Sequence, residues 1–159
     1  MAKPREIPEI GPGATFREAA AAVIEVRTEE LFSFGEGVLD TGDIERVHDM
    51  RVASRRLRAA MEVFAPCFPK RDFRRALREV KALADDLGRR RDPDVAMAAL
   101  ERVADALSPA DRPGIQHLAA ELEGGQAAGN EVLARRLEAI EASELRSRLL
   151  ALVTAARSG

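Results

Sequence analysis

Apolar residues recur along most of the chain with the 3.6-residue period of an α-helix, and no segment shows the two-residue alternation of a β-strand. A capping-box pattern, Thr15 to Glu18, predicts the start of a first helix. Asp43 and Pro66 predict the start and the end of a second helix. The chain is therefore expected to be all-α, an antiparallel helical bundle of about five to six helices.

Glycine and proline predict the boundaries of the next two helices. A third helix is expected over Lys70–Leu87, with Gly88 just past its last turn. Asp92 followed by Pro93 has the form of an N-cap and a first-turn proline, which predicts the start of a fourth helix.

The remainder of the chain contains two further helix starts. Pro113 can begin a fifth helix and Ser143 can cap a last one. The glycines of residues 123–130 mark either a break or a weak point in a long helix. We assign residues 1–13, rich in proline and glycine, to a flexible lead-in and residues 14–159 to a single bundle.

One face of the second helix is cationic. Four donor-rich side chains fall within about 80° of arc and span about 15 Å: His48, Arg51, Arg55 and Arg58. A solvated face usually interleaves Glu with Lys, whereas the only acid between these residues is Asp49, which points elsewhere. Arginine also suits phosphate oxygens better than lysine does, because its planar guanidinium group can donate two parallel hydrogen bonds. The row fits an extended polyanion, and a plain solvated face is the alternative.

The third helix repeats this pattern, with Arg74, Arg78 and Lys81 within about 60° of arc. A short Cys-Phe-Pro turn joins the second and third helices, which predicts that they are antiparallel neighbours. The two cationic stripes are therefore expected to face one groove.

The formal net charge of −2 conceals a strongly polarised chain. Between residues 46 and 91 there are 14 Lys and Arg against 6 Asp and Glu, a net of +8, and the remainder carries −10. A concentrated basic surface of this kind focuses the electric field on an anionic ligand.

No apolar run reaches the roughly 18 residues of a membrane span, and the first residues lack the apolar core of a signal peptide. A cytoplasmic protein without a membrane partner is expected.

The sequence contains few signs of catalytic or metal chemistry. It lacks a GxxxxGK[ST] phosphate loop, a GxSxG elbow, a CxxC pair and an HExxH motif. Its two histidines, His48 and His117, lie far apart, and its single cysteine, Cys67, cannot form an internal disulfide. We expect no metal, no cofactor and no enzymatic activity.

Two segments resemble the hallmarks of a known family. VHDMRVASRRLRA is similar to the signature of the conserved-histidine α-helical domain, the CHAD domain, and VKALADDLGRRRDPDV is similar to its second motif. The resemblance implies an all-helical fold whose basic surface binds inorganic polyphosphate, with polyphosphate granules as the location of some members. By position, the implied ligand contacts are His48, Arg51, Arg55, Arg56 and Arg58 from the first motif and Lys81, Arg90 and Arg91 from the second.

Two expectations accompany the resemblance. Asp92 and Asp94 match the second motif and are expected to cap a helix and to hold arginines in position. Whether His48 contacts the ligand or serves packing is left open. Family members are typically about twice as long, with a second His-Arg motif, so the chain resembles a half-length, single-bundle member. A homodimer could then complete a two-bundle pore.

Two other functions compete with polyphosphate binding. The same basic surface could bind nucleic acid or another polyanion, or the protein could be a helical adaptor that docks an acidic partner. Single-stranded nucleic acids favour stacking aromatics, and the basic stretch offers only Phe64, Phe68 and Phe73, at helix ends or core positions. This favours a bare phosphate chain over nucleic acid.

Overall fold

In the computed structural model, which describes residues 3–8 and 10–158, the chain forms five α-helices and two single 3-10 turns. No strand occurs within those residues. The all-α prediction is confirmed, and the helices are α1 (Phe16–Ser33), α2 (Ile44–Phe64), α3 (Lys70–Ala104), α4 (Arg112–Ala142) and α5 (Leu145–Ser158). No helix in this part of the chain is both long enough and apolar enough to cross a membrane.

Helix α1 begins at the predicted capping box. The Thr15 hydroxyl accepts a hydrogen bond from the Glu18 N–H, and the Glu18 carboxylate accepts one from the Thr15 N–H at 2.7 Å. Of the predicted lead-in, residues 1, 2 and 9 lie outside the described residues. Arg5 is joined to α1, because its N–H donates to Glu30 and its carbonyl accepts from Arg27.

The core lies where α1 packs against α2 and α5, and α2 packs against α3. The apolar stripe predicted for α2 faces this core: Val47, Met50, Leu57 and Met61 are at most 1% exposed. Its fifth predicted member, Phe64, is half-buried and contacts the Phe16 ring. The stripe fixes the rotation of α2, so its cationic face must point out of the bundle.

Helix α3 differs from the prediction, because the two expected helices form one helix of 35 residues. Gly88, Asp92 and Pro93 all lie inside it. Pro93 lacks the N–H that would bind the carbonyl of Arg89, which ordinarily kinks or ends a helix.

Packing against α4 compensates for the proline. On either side of Pro93, Arg90 Nη1 donates to Asp94 Oδ1 at 2.7 Å, and both side chains are fully buried. Across the interface, Gln126 Nε2 donates to the same Asp94 oxygen at 2.7 Å, and Asn130 Oδ1 accepts from Arg90 Nε at 2.9 Å. This network, Arg90–Asp94–Gln126–Asn130, in which Arg90 and Asp94 are buried, joins α3 to α4 at the proline and supports the continuous helix.

The glycine-rich segment 123–130 lies within α4. Gly125 and Gly129, one turn apart, face α3 at the proline: a Cβ on Gly125 would lie 3.6 Å from Pro93 Cγ, and one on Gly129 would lie 3.1 Å from Arg90 Cα. The missing side chains let the two helix backbones approach each other. The segment is therefore a contact surface within a long helix.

Alanine substitutions at two glycines of α4 should distinguish the effect of helix packing on stability from the effect of helix propensity. We expect Gly129→Ala to lower the free energy of unfolding by about 1–2 kcal/mol, because its methyl group would press on α3 backbone that cannot move alone. Gly124→Ala, with nothing within 4 Å of its Cβ, should instead raise it by about 0.5–1 kcal/mol. Urea unfolding of the two variants measures the difference, and equal stabilities would contradict the close approach of α3 and α4.

Helix α5 begins at Leu145 instead of after a Ser143 cap. Ser143 follows the last residue of α4, and its hydroxyl donates to Glu79 Oε2 at 2.6 Å, an oxygen that Arg148 also binds. Burial alone would raise the pKa of Glu79, but these hydrogen bonds outweigh it and hold that pKa below its ordinary value. The serine thus connects the α4–α5 junction to α3.

The far halves of α3 and α4 project beyond the core. From residue 95 to residue 132 no residue is buried. Val95, Val103, Leu107 and Leu118 are each 44% or more exposed. We call this segment, residues 95–132, the two-helix arm.

Candidate polyanion-binding groove

An open groove of about 420 Å³ runs between α2 and α3. Arg51, Arg55 and Arg58 line it from α2, and α3 contributes Ala84, Asp85, Gly88, Arg89 and Asp92. The residues on α2 are three or four positions apart, and those on α3 recur every four positions as 84, 88 and 92 and as 85 and 89, the spacing of a single helical face. We call it the basic groove.

Arg51 and Arg55 are the two arginines on α2 that make no ion pair with a carboxylate of the described residues. Among the described residues, no carboxylate lies within ion-pair distance of either guanidinium. A Cβ on Gly88 would lie 3.9 Å from Arg51 Nε, so the guanidinium of Arg51 passes over the bare backbone of α3. Arg51 therefore lies within van der Waals reach of residue 88 across the groove.

Arg58 and Lys81 meet at one end of the groove. Lys81 Nζ lies 2.9 Å from Glu62 Oε1, and Arg58 Nε donates to the same oxygen at 3.2 Å. These hydrogen bonds, from Lys81 first and Arg58 second, hold the pKa of Glu62 below its ordinary value. The cationic stripes of α2 and α3 therefore lie on one side of the helix pair.

The other predicted cations of α3 and the histidine of α2 extend the groove. Arg78 and Arg74 are exposed and share the helical face of Lys81, about one and two turns before it on α3. His48 is half-buried, three residues before Arg51 on α2. Together these positions make a cationic row longer than the groove itself.

Three predicted contacts point elsewhere. Arg56 Nη1 donates to Glu30 Oε1 at 3.0 Å, and Glu30 is fully buried beneath α2, so Arg56 is turned away from the groove. Arg90 is 0% exposed within the network that joins α3 to α4. Arg91 is 16% exposed, and its guanidinium lies between Glu45, at 3.9 Å, and Asp94, at 3.6 Å. The prediction that these arginines contact a ligand is not supported by their placement.

Arg89 is the groove residue that the sequence analysis missed. Its side chain is 73% exposed, with Asp86 Oδ1 3.5 Å from Nη1. Successive helical residues point about 100° apart, so only one of three consecutive arginines can face the groove. Arg89 is eleven residues after Arg78, just over three full turns, and would have been found by extending the α3 stripe through Gly88.

A family model, that of the CHAD domain, matches residues 22–159. The chain belongs to the CHAD domain family. The match begins within α1 and includes every residue of the basic groove. The CHAD domain is linked to polyphosphate-related proteins. No curated protein and no solved structure matches the chain.

The acidic side chains that line the groove of this CHAD domain are spaced apart. Within the residues that the structure describes, no group of three or more His, Cys, Asp or Glu side chains is placed to hold a metal ion. Asp85 and Asp92 lie among the groove arginines. They limit the excess of positive charge and, being separated by seven residues, stand two turns apart on α3.

Proposed function

We propose that this CHAD domain binds inorganic polyphosphate in the basic groove, without catalysis. The observation that carries the proposal is the pair Arg51 and Arg55, which line an open groove with no carboxylate at ion-pair distance among the described residues. Asp85 and Asp92 reduce the repulsion between these two cations without pairing with either one, and an anionic ligand would relieve it further. Each planar guanidinium group can donate two parallel hydrogen bonds to phosphate oxygens.

The proposed contacts form a row along the groove. Arg51, Arg55, Arg58 and Arg89 lie at its centre, Lys81, Arg74 and Arg78 continue it along α3, and His48 lies at the opposite end of the α2 stripe. A chain of phosphates lying along α2 would pass the residues from His48 to Arg58 over about 15 Å. Arg56, Arg90 and Arg91 are assigned to holding the helices together.

The aromatic residues support polyphosphate over single-stranded nucleic acid. Phe68 and Phe73 are buried and stacked on each other, with ring centroids 5.5 Å apart, and Phe64 contacts Phe16. None of these rings lines the basic groove. Base stacking, a main source of affinity for single strands, would have no platform there.

Binding should depend strongly on salt, because each arginine that engages a phosphate displaces a counterion. Fluorescence anisotropy of labelled long-chain polyphosphate, measured from about 50 to 200 mM salt, should show log affinity falling linearly with log salt concentration, as for other polyphosphate backbones. An affinity independent of salt, or no binding at the lowest salt, would contradict electrostatic capture.

Glu62 should act as an internal competitor for polyphosphate. We expect Glu62→Gln to raise affinity about two- to five-fold at pH 7, because Arg58 and Lys81 no longer have to release a carboxylate. Since the pKa of Glu62 is lowered, the wild-type protein should show the same gain only below the ordinary value of 4.5. Glu138→Gln, an exposed position on α4, makes the same charge change away from the groove. An equal gain in that control would show a net-charge effect instead.

The homodimer implied by the resemblance stays a prediction. The two-helix arm offers it a surface, because Val95, Val103 and Leu118 are exposed there and no third helix covers them. Light scattering should give twice the chain mass at micromolar concentration, and Leu118→Glu should restore the monomer. A monomer mass both with and without polyphosphate would contradict the homodimer.

The cytoplasmic location and the association with polyphosphate granules also stay predictions.

A further inference from the structure

A second groove, of about 560 Å³, opens among the ends of α1, α2, α4 and α5. Its floor is apolar and its rim is polar, with Phe32, Gly35, Met50, Leu137, Ile140 and Leu145 below and Glu36, Glu141, Glu144, Arg146 and Ser147 above. The volume lies within the range of about 300–1,000 Å³ that binding pockets show. We call it the acidic groove.

The rim carries uncompensated negative charge. Arg146, the one cation among the described rim residues, binds Glu29 through two hydrogen bonds of 2.6 and 3.3 Å. Among the described residues, none of Glu36, Glu141 and Glu144 has a basic group within ion-pair distance. An occupant that is apolar at its centre and positive at its edges would match both surfaces.

We propose that the acidic groove docks a basic amphipathic helix of a partner protein. An apolar anchor of that helix would pack on Phe32 and Leu137, and flanking Lys or Arg residues would meet Glu36, Glu141 and Glu144. Anionic membranes and polyphosphate are disfavoured occupants, because the three carboxylates repel them.

The two grooves lie on different sides of α2. Met50 belongs to the floor of the acidic groove, and its neighbour Arg51 lines the basic groove. Ligands of opposite charge could therefore be held at the same time, because neither would cover the other. This inference does not rest on polyphosphate binding, so either can fail alone.

The backbone conformation at Glu144 allows a substitution that should not lower the stability of the protein. Glu144 has φ of +52°, in the left-handed region that glycine adopts readily and other residues rarely do. Glu144→Gly removes the carboxylate and relieves that conformation. Combined with Glu141→Gln, it removes two rim charges while Tm is expected to stay unchanged or rise.

The test is a fluorescence anisotropy titration, without polyphosphate, of a labelled 14-residue Lys/Leu helical peptide against the full chain. We expect binding that weakens at least ten-fold in Glu141→Gln/Glu144→Gly, and at least ten-fold for a Lys/Ser peptide of equal charge. Glu121→Gln/Glu123→Gln, which removes two exposed carboxylates from the two-helix arm, should change the affinity less than two-fold.

Three results of the titration would overturn the proposal: no binding of the Lys/Leu peptide, equal binding of the Lys/Ser peptide, and an equal loss in the Glu121/Glu123 control. A fall in the light-scattering mass of the protein caused by the Glu141/Glu144 changes would identify a second copy of the chain as the occupant, which also overturns it.

Discussion

Replacing Arg51 and Arg55 together by alanine is expected to weaken polyphosphate binding about 100-fold at low salt. Each arginine should contribute about 1.5 kcal/mol through charge-assisted hydrogen bonds, which is roughly a factor of ten. Both line the basic groove, and no carboxylate of the described residues lies within ion-pair distance of either one. Fluorescence anisotropy with labelled polyphosphate measures the loss.

The matched control is Arg102→Ala/Arg112→Ala. These arginines are exposed on the two-helix arm, outside the basic groove. The control removes the same charge, so it should lower affinity no more than about three-fold through the general field of the protein. Equal losses in the two double variants would contradict a localised site and indicate a generic polyanion surface.

The largest effect on stability is expected from Asp94→Ala. Asp94 binds Arg90 at 2.7 Å in the interior, where both side chains are 0% exposed. Removing the carboxylate leaves a buried guanidinium without its counter-charge, which costs about 3–5 kcal/mol. Such a loss is a large fraction of the stability of a domain of this size. Urea unfolding followed by circular dichroism measures it.

Two further variants show whether the buried pair is the cause. Asp92→Ala, two residues away and exposed in the groove, should change the free energy of unfolding by less than about 0.5 kcal/mol. Arg90→Met/Asp94→Leu removes both charges and should recover most of the loss, because apolar residues of similar volume can replace a buried pair. A double variant as unstable as Asp94→Ala would contradict this explanation.

Helix α2 could be predicted from the sequence because its signals are local. Asp43 precedes its first residue, Pro66 follows its end, and the apolar period from Val47 to Met61 fixes its rotation. Once that rotation is fixed, the outward direction of Arg51 and Arg55 follows. The part of the groove that α2 supplies was therefore visible in the sequence.

Helix α3 could not be predicted in the same way because its continuity depends on distant residues. Pro93 predicts a boundary, and the groups that overcome it are Gln126 and Asn130 on α4, more than 30 residues away. Because the predicted third helix ended at Leu87, the three arginines at residues 89–91 were not assigned to any helical face. Arg89 was therefore not assigned to the groove, and the burial of Arg90 depends on α4, which the local pattern does not show.

The central claim is that the basic groove prefers polyphosphate to other polyanions. The most direct measurement is a titration with long-chain polyphosphate at two salt concentrations, with double-stranded DNA at matched phosphate concentration as competitor. We predict tight binding that survives the DNA and that weakens in Arg51→Ala/Arg55→Ala. Complete displacement by the DNA at matched phosphate, or affinity unchanged in the double variant, would contradict the claim.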